Sequence, residues 1–361
     1  MDFLKKLMQE AAPITYADFW VWFKKEERTF FKVIKEKGDI EKVFFEVLSP
    51  KLAQIKEGIF YLTGMADEET VELIFTPDGV VENVIFVEEL VAAAPAIKGW
   101  KFTALKPALA IENVGIQMQA YEFNGDNLFF YALEDSNYPD EIDLRVIHND
   151  FKQENEQIIT NGTFIFLDNF LGELNLITTV DELMVIGKEA IEKELVPISK
   201  LKAYLNWRQK EFLEKYEGVR YQTAEDNHSG LTADLKDGSQ LIAVLNTDLL
   251  KWENKASHPW IMVIDIKFEG AEKGMPSKET QTDLDKIEEL LLTQLKDGDG
   301  YLNIGRQTSG NLREIYFACK DFRKPSKVVY ETQLSYMERY ELDFEIYKDK
   351  YWRTFDRYGI L

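Results

Sequence analysis

The chain has 361 residues, of which 45% are apolar and 13% aromatic, enough for one large core or two ordinary ones, and this excludes disorder as its main state. Asp and Glu number 64 against 43 Lys and Arg, a formal net charge of −21. That balance argues against nucleic acid and anionic membrane surfaces as partners and leaves a basic protein as the macromolecular class the charge attracts.

One cysteine excludes an internal disulfide framework and fits a reducing compartment. The first residues, MDFLKKLMQEAAPITYADFW, carry no apolar run of signal length before Gln9 and Glu10, and no window approaches the roughly 18 apolar residues of a membrane helix, so the expected location is cytoplasmic.

In chain order, Thr15 is placed to cap a helix with Phe19, Trp22, Phe23, Phe30, Val33 and Ile34 on its apolar side. Gly38 ends it, and Asp39 caps a second helix bearing Phe44, Leu48, Leu52 and Ile55. The period then shortens toward two. Ile59 to Thr63 and Val71 to Thr76 read as strands, Thr76-Pro77-Asp78-Gly79 as a turn, and Val84, Val87 and Val91 as one face of a helix. After a strand near Trp100, Asn124-Gly125 predicts a hairpin between Ile116–Phe123 and Leu128–Leu133. Ile142 to His148 reads as a strand and Phe151 to Phe170 as a helix, whereas Leu174 to Ile186 fits either short strands or irregular structure.

A helix bearing Leu201, Leu205, Phe212 and Tyr216 is read as a connection over 197–217 between an N-terminal α+β domain (1–196) and a C-terminal domain (218–361). In the latter, extended stretches at Val219–Ala224 and Leu231–Leu245 precede a strand from Trp260 to Glu269. A helix bearing Leu284, Ile287, Leu291 and Leu295 follows, then a hairpin about Ser309-Gly310-Asn311, a helix opened by Pro325 with Tyr330, Leu334 and Met337 on one side, and a strand in which Leu342, Phe344 and Ile346 alternate with Glu341, Asp343 and Glu345. From Trp260 onward the order is β-α-β-β-α-β. The fold class is therefore α+β in two domains, the second a ferredoxin-like sandwich with an extra N-terminal β-hairpin.

Gly274-Met275-Pro276, Gly305-Arg306-Gln307-Thr308, Ile315-Tyr316-Phe317 and the closing Tyr347-Lys348-Asp349-Lys350-Tyr351-Trp352 resemble a bacterial family of unassigned function, domain-of-unknown-function family 695, over roughly the last 145 residues. Asp349 and Trp352 match the family's ending, although Lys350 stands where a proline is usual. The family's fold is thought to resemble the regulator B family of ribonuclease E, which implies a protein-binding role by analogy and carries over no catalytic residue.

Sequence chemistry points the same way. His148, His228 and His258 are far apart and lack metal spacing, and His228-Ser229 is no nucleophile–base pair on spacing alone. Cys319 reads as a buried structural thiol. The Asp297-Gly298-Asp299-Gly300 run fails as a calcium loop because Leu302 and Thr308 stand at the required Gly and Glu positions. No phosphate loop, dinucleotide fingerprint or nucleophile elbow occurs, so no cofactor, metal or catalytic residue is expected. Acidic pairs such as Glu88-Glu89, Glu288-Glu289 and Asp67-Glu68-Glu69 are too common to be informative. An interaction surface is expected at Arg306, Tyr351, Trp352 and Arg353, because aromatics and Arg are enriched at binding hot spots, although burial of Trp352 in the core is the competing reading. The expected function is a non-enzymatic module that binds or regulates a basic protein. The alternative is a hydrolase or small-ligand binder using carboxylates in an interdomain cleft.

Overall fold

The computed structural model describes residues 13–236 and 238–359, so the N-terminal segment read above lies outside the described residues up to residue 12. The chain is mixed α+β and divides into two units, Met1–Glu134 with Ile142–Trp207, and Asp135–Glu141 with Arg208–Leu361.

The first unit opens with α1 (Tyr16–Lys35), where Thr15 Oγ1 accepts the Asp18 N–H (3.1 Å) and Asp18 accepts the Thr15 N–H (3.1 Å). Phe19, Trp20, Phe23, Phe30 and Ile34 are its buried side. Trp20, absent from the expected stripe, is tied in by its indole N–H, which donates to the Leu90 carbonyl (2.7 Å). A π-helical turn at Glu41–Phe45 continues into α2 (Glu46–Ala53), burying Phe44, Leu48, Leu52 and Ile55. β1 (Phe60–Met65), β2 (Val71–Thr76) and β3 (Trp100–Ala104) form a sheet in that order. β2 and β3 are parallel, and α3 (Val81–Ala92) lies in the crossover between them.

The hairpin expected at Asn124-Gly125 does not form. β4 (Ile116–Met118) turns back on β5 (Tyr121–Phe123) through Gln119, at φ +52°, and β6 (Leu128–Leu133) pairs with β7 (Asp143–His148). The Asn127 side chain explains the exchange: it accepts the Asn124 N–H (3.0 Å) and donates to the Glu122 carbonyl (2.6 Å), occupying groups that a hairpin ladder would use. α4 (Glu156–Leu171), α5 (Glu173–Thr179), β8 (Glu182–Ile186) and β9 (Val196–Pro197) complete this part, with the second sheet in the order β8-β7-β6-β9. Gly162 lies within α4 because the Phe123 ring packs there; a Cβ would stand 2.1 Å from Phe123 Cζ.

The boundary between units falls inside α6 (Leu201–Lys215), after Trp207. In the second unit Val219–Ala224 is not a strand; the hairpin forms within the second extended stretch, as β10 (His228–Asp234) and β11 (Gln240–Asn246), and the short α7 (Thr247–Leu250) follows it. β12 (Trp260–Lys267), α8 (Lys278–Gln294), β13 (Tyr301–Ser309), β14 (Leu312–Cys319), α9 (Arg323–Tyr336) and β15 (Glu341–Lys348) come next, giving a six-stranded antiparallel sheet in the order β10-β11-β13-β14-β12-β15.

The sheet has two faces. Met262, Ile264, Ile266, Ile315, Phe317, Cys319, Leu342 and Ile346 are buried on the one carrying α8 and α9. On α9 the buried side is Pro325, Ser326, Val328, Val329 and Thr332 rather than the expected stripe, whose Leu334 and Met337 are exposed. Two hydroxyls can face inward because each donates to its own helix, Ser326 to the Phe322 carbonyl (2.6 Å) and Thr332 to the Val328 carbonyl (2.8 Å).

Candidate functional site

The other sheet face is divided lengthwise. Its upper half carries Ile261, Leu302, Ile304, Tyr316 and Ala318, over which Trp352 and Phe355 of the final segment are buried. Asp349 directs that closure: its carboxylate accepts the N–H groups of Arg353 (3.0 Å) and Thr354 (2.9 Å) and the Thr354 hydroxyl (3.0 Å), while the Trp352 indole N–H donates to the His258 carbonyl (3.0 Å). The Asp349–Trp352 ending is thus a folding device.

The lower half lies beyond the cover of Trp352 and Phe355, with Asp265 and Glu314 half-buried and Asp343 exposed, and it is acidic. On β12 the alternation that buries Ile264 and Ile266 turns Asp265 outward, and antiparallel pairing sets Glu314 of β14 and Asp343 of β15 directly opposite it. Glu341 and Glu345 flank Asp343 on the same exposed side of β15. Glu314 is held by the Gln307 amide (2.6 Å) and Glu341 by Lys267 (2.7 Å). Asp265 has no such relief. One of its oxygens, Oδ1, is shut off from water without a hydrogen-bond partner, and burial, Glu314 and Asp343 together push its carboxyl above the ordinary aspartate value against the pull of Lys267. Like charges facing across strands destabilise a sheet. Charged side chains on β15 can be explained as protection of a sheet edge. That does not explain Asp265, one strand in from the edge.

Arg306, Tyr351, Trp352 and Arg353 are not brought together on this face. Trp352 has no exposed surface, so the core reading holds for it and its ring offers nothing to a partner. Arg306 lies on the helix side and binds both oxygens of Glu288 on α8 (2.8 and 2.9 Å). Tyr351 donates to Asp140 (2.8 Å), and Arg353 pairs with Glu141 (2.7 Å) and lies over the Tyr138 ring. Three of the four thus secure Asp135–Glu141 or the buried face. Lys350 does likewise: it is buried and donates to the Asp140 carbonyl (2.6 Å). The Asp140 carboxylate also takes bonds from Lys215 and Tyr216 (2.8 Å each). Burial would raise that carboxyl, yet these donors hold it below its ordinary value.

The Gly305–Thr308 motif is equally structural. Gly305, at φ +138° beside a bulge, lies where a Cβ would be 2.1 Å from the Val244 carbonyl oxygen, and Thr308 accepts from the buried Arg313 (2.9 Å), which reaches Asp285 and Gln281 of α8.

Two of the histidines, His148 and His258, are buried. His148 accepts the Asp150 N–H at Nδ1 (3.1 Å), so its Nε2 donates to the Glu122 carbonyl (2.8 Å). Ser257 lies 2.9 Å from His258 Nδ1 but gives its proton to the Asn254 carbonyl (2.7 Å), so it is not set up as a nucleophile. Burial pushes the His258 imidazole down to about 3, helped by Lys320 and Arg220. Cys319 is fully buried, and burial pushes its thiol well up. Among the described residues no group of three or more His, Cys, Asp or Glu side chains is placed to hold a metal ion, and no helix is long and apolar enough to cross a membrane.

Residues 231–358 match a family of unknown function (DUF695), in agreement with the resemblance carried by the C-terminal motifs. No curated protein and no solved structure matches the chain.

Proposed function

We propose that the open half of the sheet face docks a basic segment of another protein, and that the chain is a non-enzymatic binding or regulatory module. The observation that carries this is Asp265, a carboxylate with an unpartnered oxygen, fixed between Glu314 and Asp343. Folding alone gains nothing from that arrangement, whereas an incoming Lys or Arg would neutralise charges already held in place. The interleaved order of the last four strands supports reading the second unit as ferredoxin-like with an added hairpin, and the lone cysteine supports a reducing, cytoplasmic setting.

The test is a titration of isotope-labelled full chain with a synthetic peptide alternating Lys and Val, followed by amide shifts. The expected result is saturable perturbation centred on residues 263–265, 314–316 and 343–345, weakened about tenfold or more in an Asp265→Asn/Asp343→Asn/Glu345→Gln variant. Perturbations spread over α8, or an unweakened variant, would overturn the proposal.

A further inference from the structure

Within the first unit a cleft of ≈ 470 Å³ is lined by the apolar Phe164, Ile165, Leu176, Ile177, Val180 and Leu183, by charged groups about Lys106, and by Asp181. That size and mixture of a broad apolar wall with a few converging polar groups is typical of a small-molecule site. The wall is exposed where a soluble helix ordinarily is not apolar: Phe164 and Ile165, neighbours on the outer side of α4, are 40% and 43% exposed.

The charged end has a surplus of acid. Lys106 Nζ is 2.9 Å from Asp168 Oδ2 and 3.1 Å from Asp78 Oδ1, and both carboxylates belong to the lining with Glu173. Glu173 is committed elsewhere, accepting from the Thr76 hydroxyl and the N–H groups of Gly79 and Lys106. One ammonium therefore serves two further carboxylates, each of which touches it through a single oxygen. Burial would lower the Lys106 amine, but Asp168 and Asp78 outweigh it and hold it above its ordinary value, so Lys106 is a fixed cation and no nucleophile near neutral pH. An anionic head group would enter against Asp78, Asp168 and Glu173. A cationic one would find two carboxylates, Asp78 and Asp168, that share one ammonium within the same lining as the apolar side chains.

We infer that this cleft binds a small amphipathic amine, its ammonium group between Asp78 and Asp168 and its hydrocarbon part against Phe164, Ile165 and Leu183. The inference stands apart from the docking face, which lies on the other unit.

Methyl-labelled full chain titrated with 2-phenylethylamine tests it, with 3-phenylpropionate as the anion of similar shape. The amine is expected to shift the methyls of Ile165, Leu176, Ile177, Val180 and Leu183 saturably, and the acid is not. Asp78→Asn, at a side chain 65% exposed, and Phe164→Ser should each weaken the amine about three- to tenfold without unfolding the chain. Equal binding of the acid would overturn the choice of head group. Unsaturable shifts, or affinity unchanged in both variants, would overturn the site.

Discussion

Glu173 makes the sharpest quantitative prediction. Its carboxylate is 1% exposed at the start of α5, and its two oxygens are matched to opposite backbone donors, Oε1 to the Gly79 N–H (3.0 Å) and Oε2 to the Lys106 N–H (3.1 Å), while the Thr76 hydroxyl reaches both (2.7 and 2.8 Å). In Glu173→Gln one oxygen becomes an NH₂ group. Whichever way the amide turns, it meets a backbone N–H head on, and the hydroxyl of Thr76 can follow only the remaining oxygen. One charge-assisted bond is lost, about 1.5–3 kcal/mol, and one part-buried N–H loses its acceptor, about 1–2 kcal/mol. The expected destabilisation is about 3–5 kcal/mol.

For a unit of this size each kcal/mol moves the midpoint by about 2–4 °C, so calorimetry should find the first unit melting about 6–20 °C lower. Thr76→Val removes only the hydroxyl and should cost about 1–2 kcal/mol in the same scan. A Glu173→Gln protein whose transition moves by less than that of Thr76→Val would refute the reasoning, because the backbone donors would then not depend on the charge.

Asp265→Asn should stabilise the second unit by about 0.5–2 kcal/mol at pH 7 in urea denaturation, since it removes two facing like-charge contacts. The folded-state value of Asp265 is raised, so its penalty is absent below the ordinary aspartate value and grows as pH rises through the folded one; the advantage of the variant should vanish as pH falls toward about 4. Gly162→Ala drives a Cβ into the Phe123 ring and should cost about 1–3 kcal/mol of thermal stability, although alanine is the better helix former. Trp352→Ala empties the core beneath the final segment and should cost about 3–5 kcal/mol, read by denaturant unfolding.

Strand and helix periodicity located most elements of the second unit because its helices and sheet bury one side each, so apolar positions recur at the period of the backbone. Where that reasoning failed, polar groups had found partners invisible in a linear pattern. α9 buries Ser326 and Thr332 because their hydroxyls return to its own carbonyls, leaving Leu334 and Met337 outside. Asn127 redirects a turn that Asn124-Gly125 alone would have made. The proposed sites were less legible still. Asp265 reads in sequence as one more outward residue of an alternating strand; only the register with Glu314 and Asp343 makes it exceptional. The cleft beside Lys106 draws on residues from Asp78 to Leu183, which no spacing rule connects.

The way the final segment covers the sheet bears on which face is free. Trp352 and Phe355 close the half of the face where β12 presents Ile261, and Tyr358 reaches as far as Gln307, whose amide holds Glu314 (Tyr358 hydroxyl to Gln307, 2.8 Å). An apolar cover over this half would bury Asp265, Glu314 and Asp343 together, with Lys267 already committed to Glu341. Burying unpaired carboxylates costs more than an apolar cover returns. The register that sets three carboxylates side by side thus makes this half of the face costly for an apolar cover, whereas a cover that brought its own cations would escape that cost.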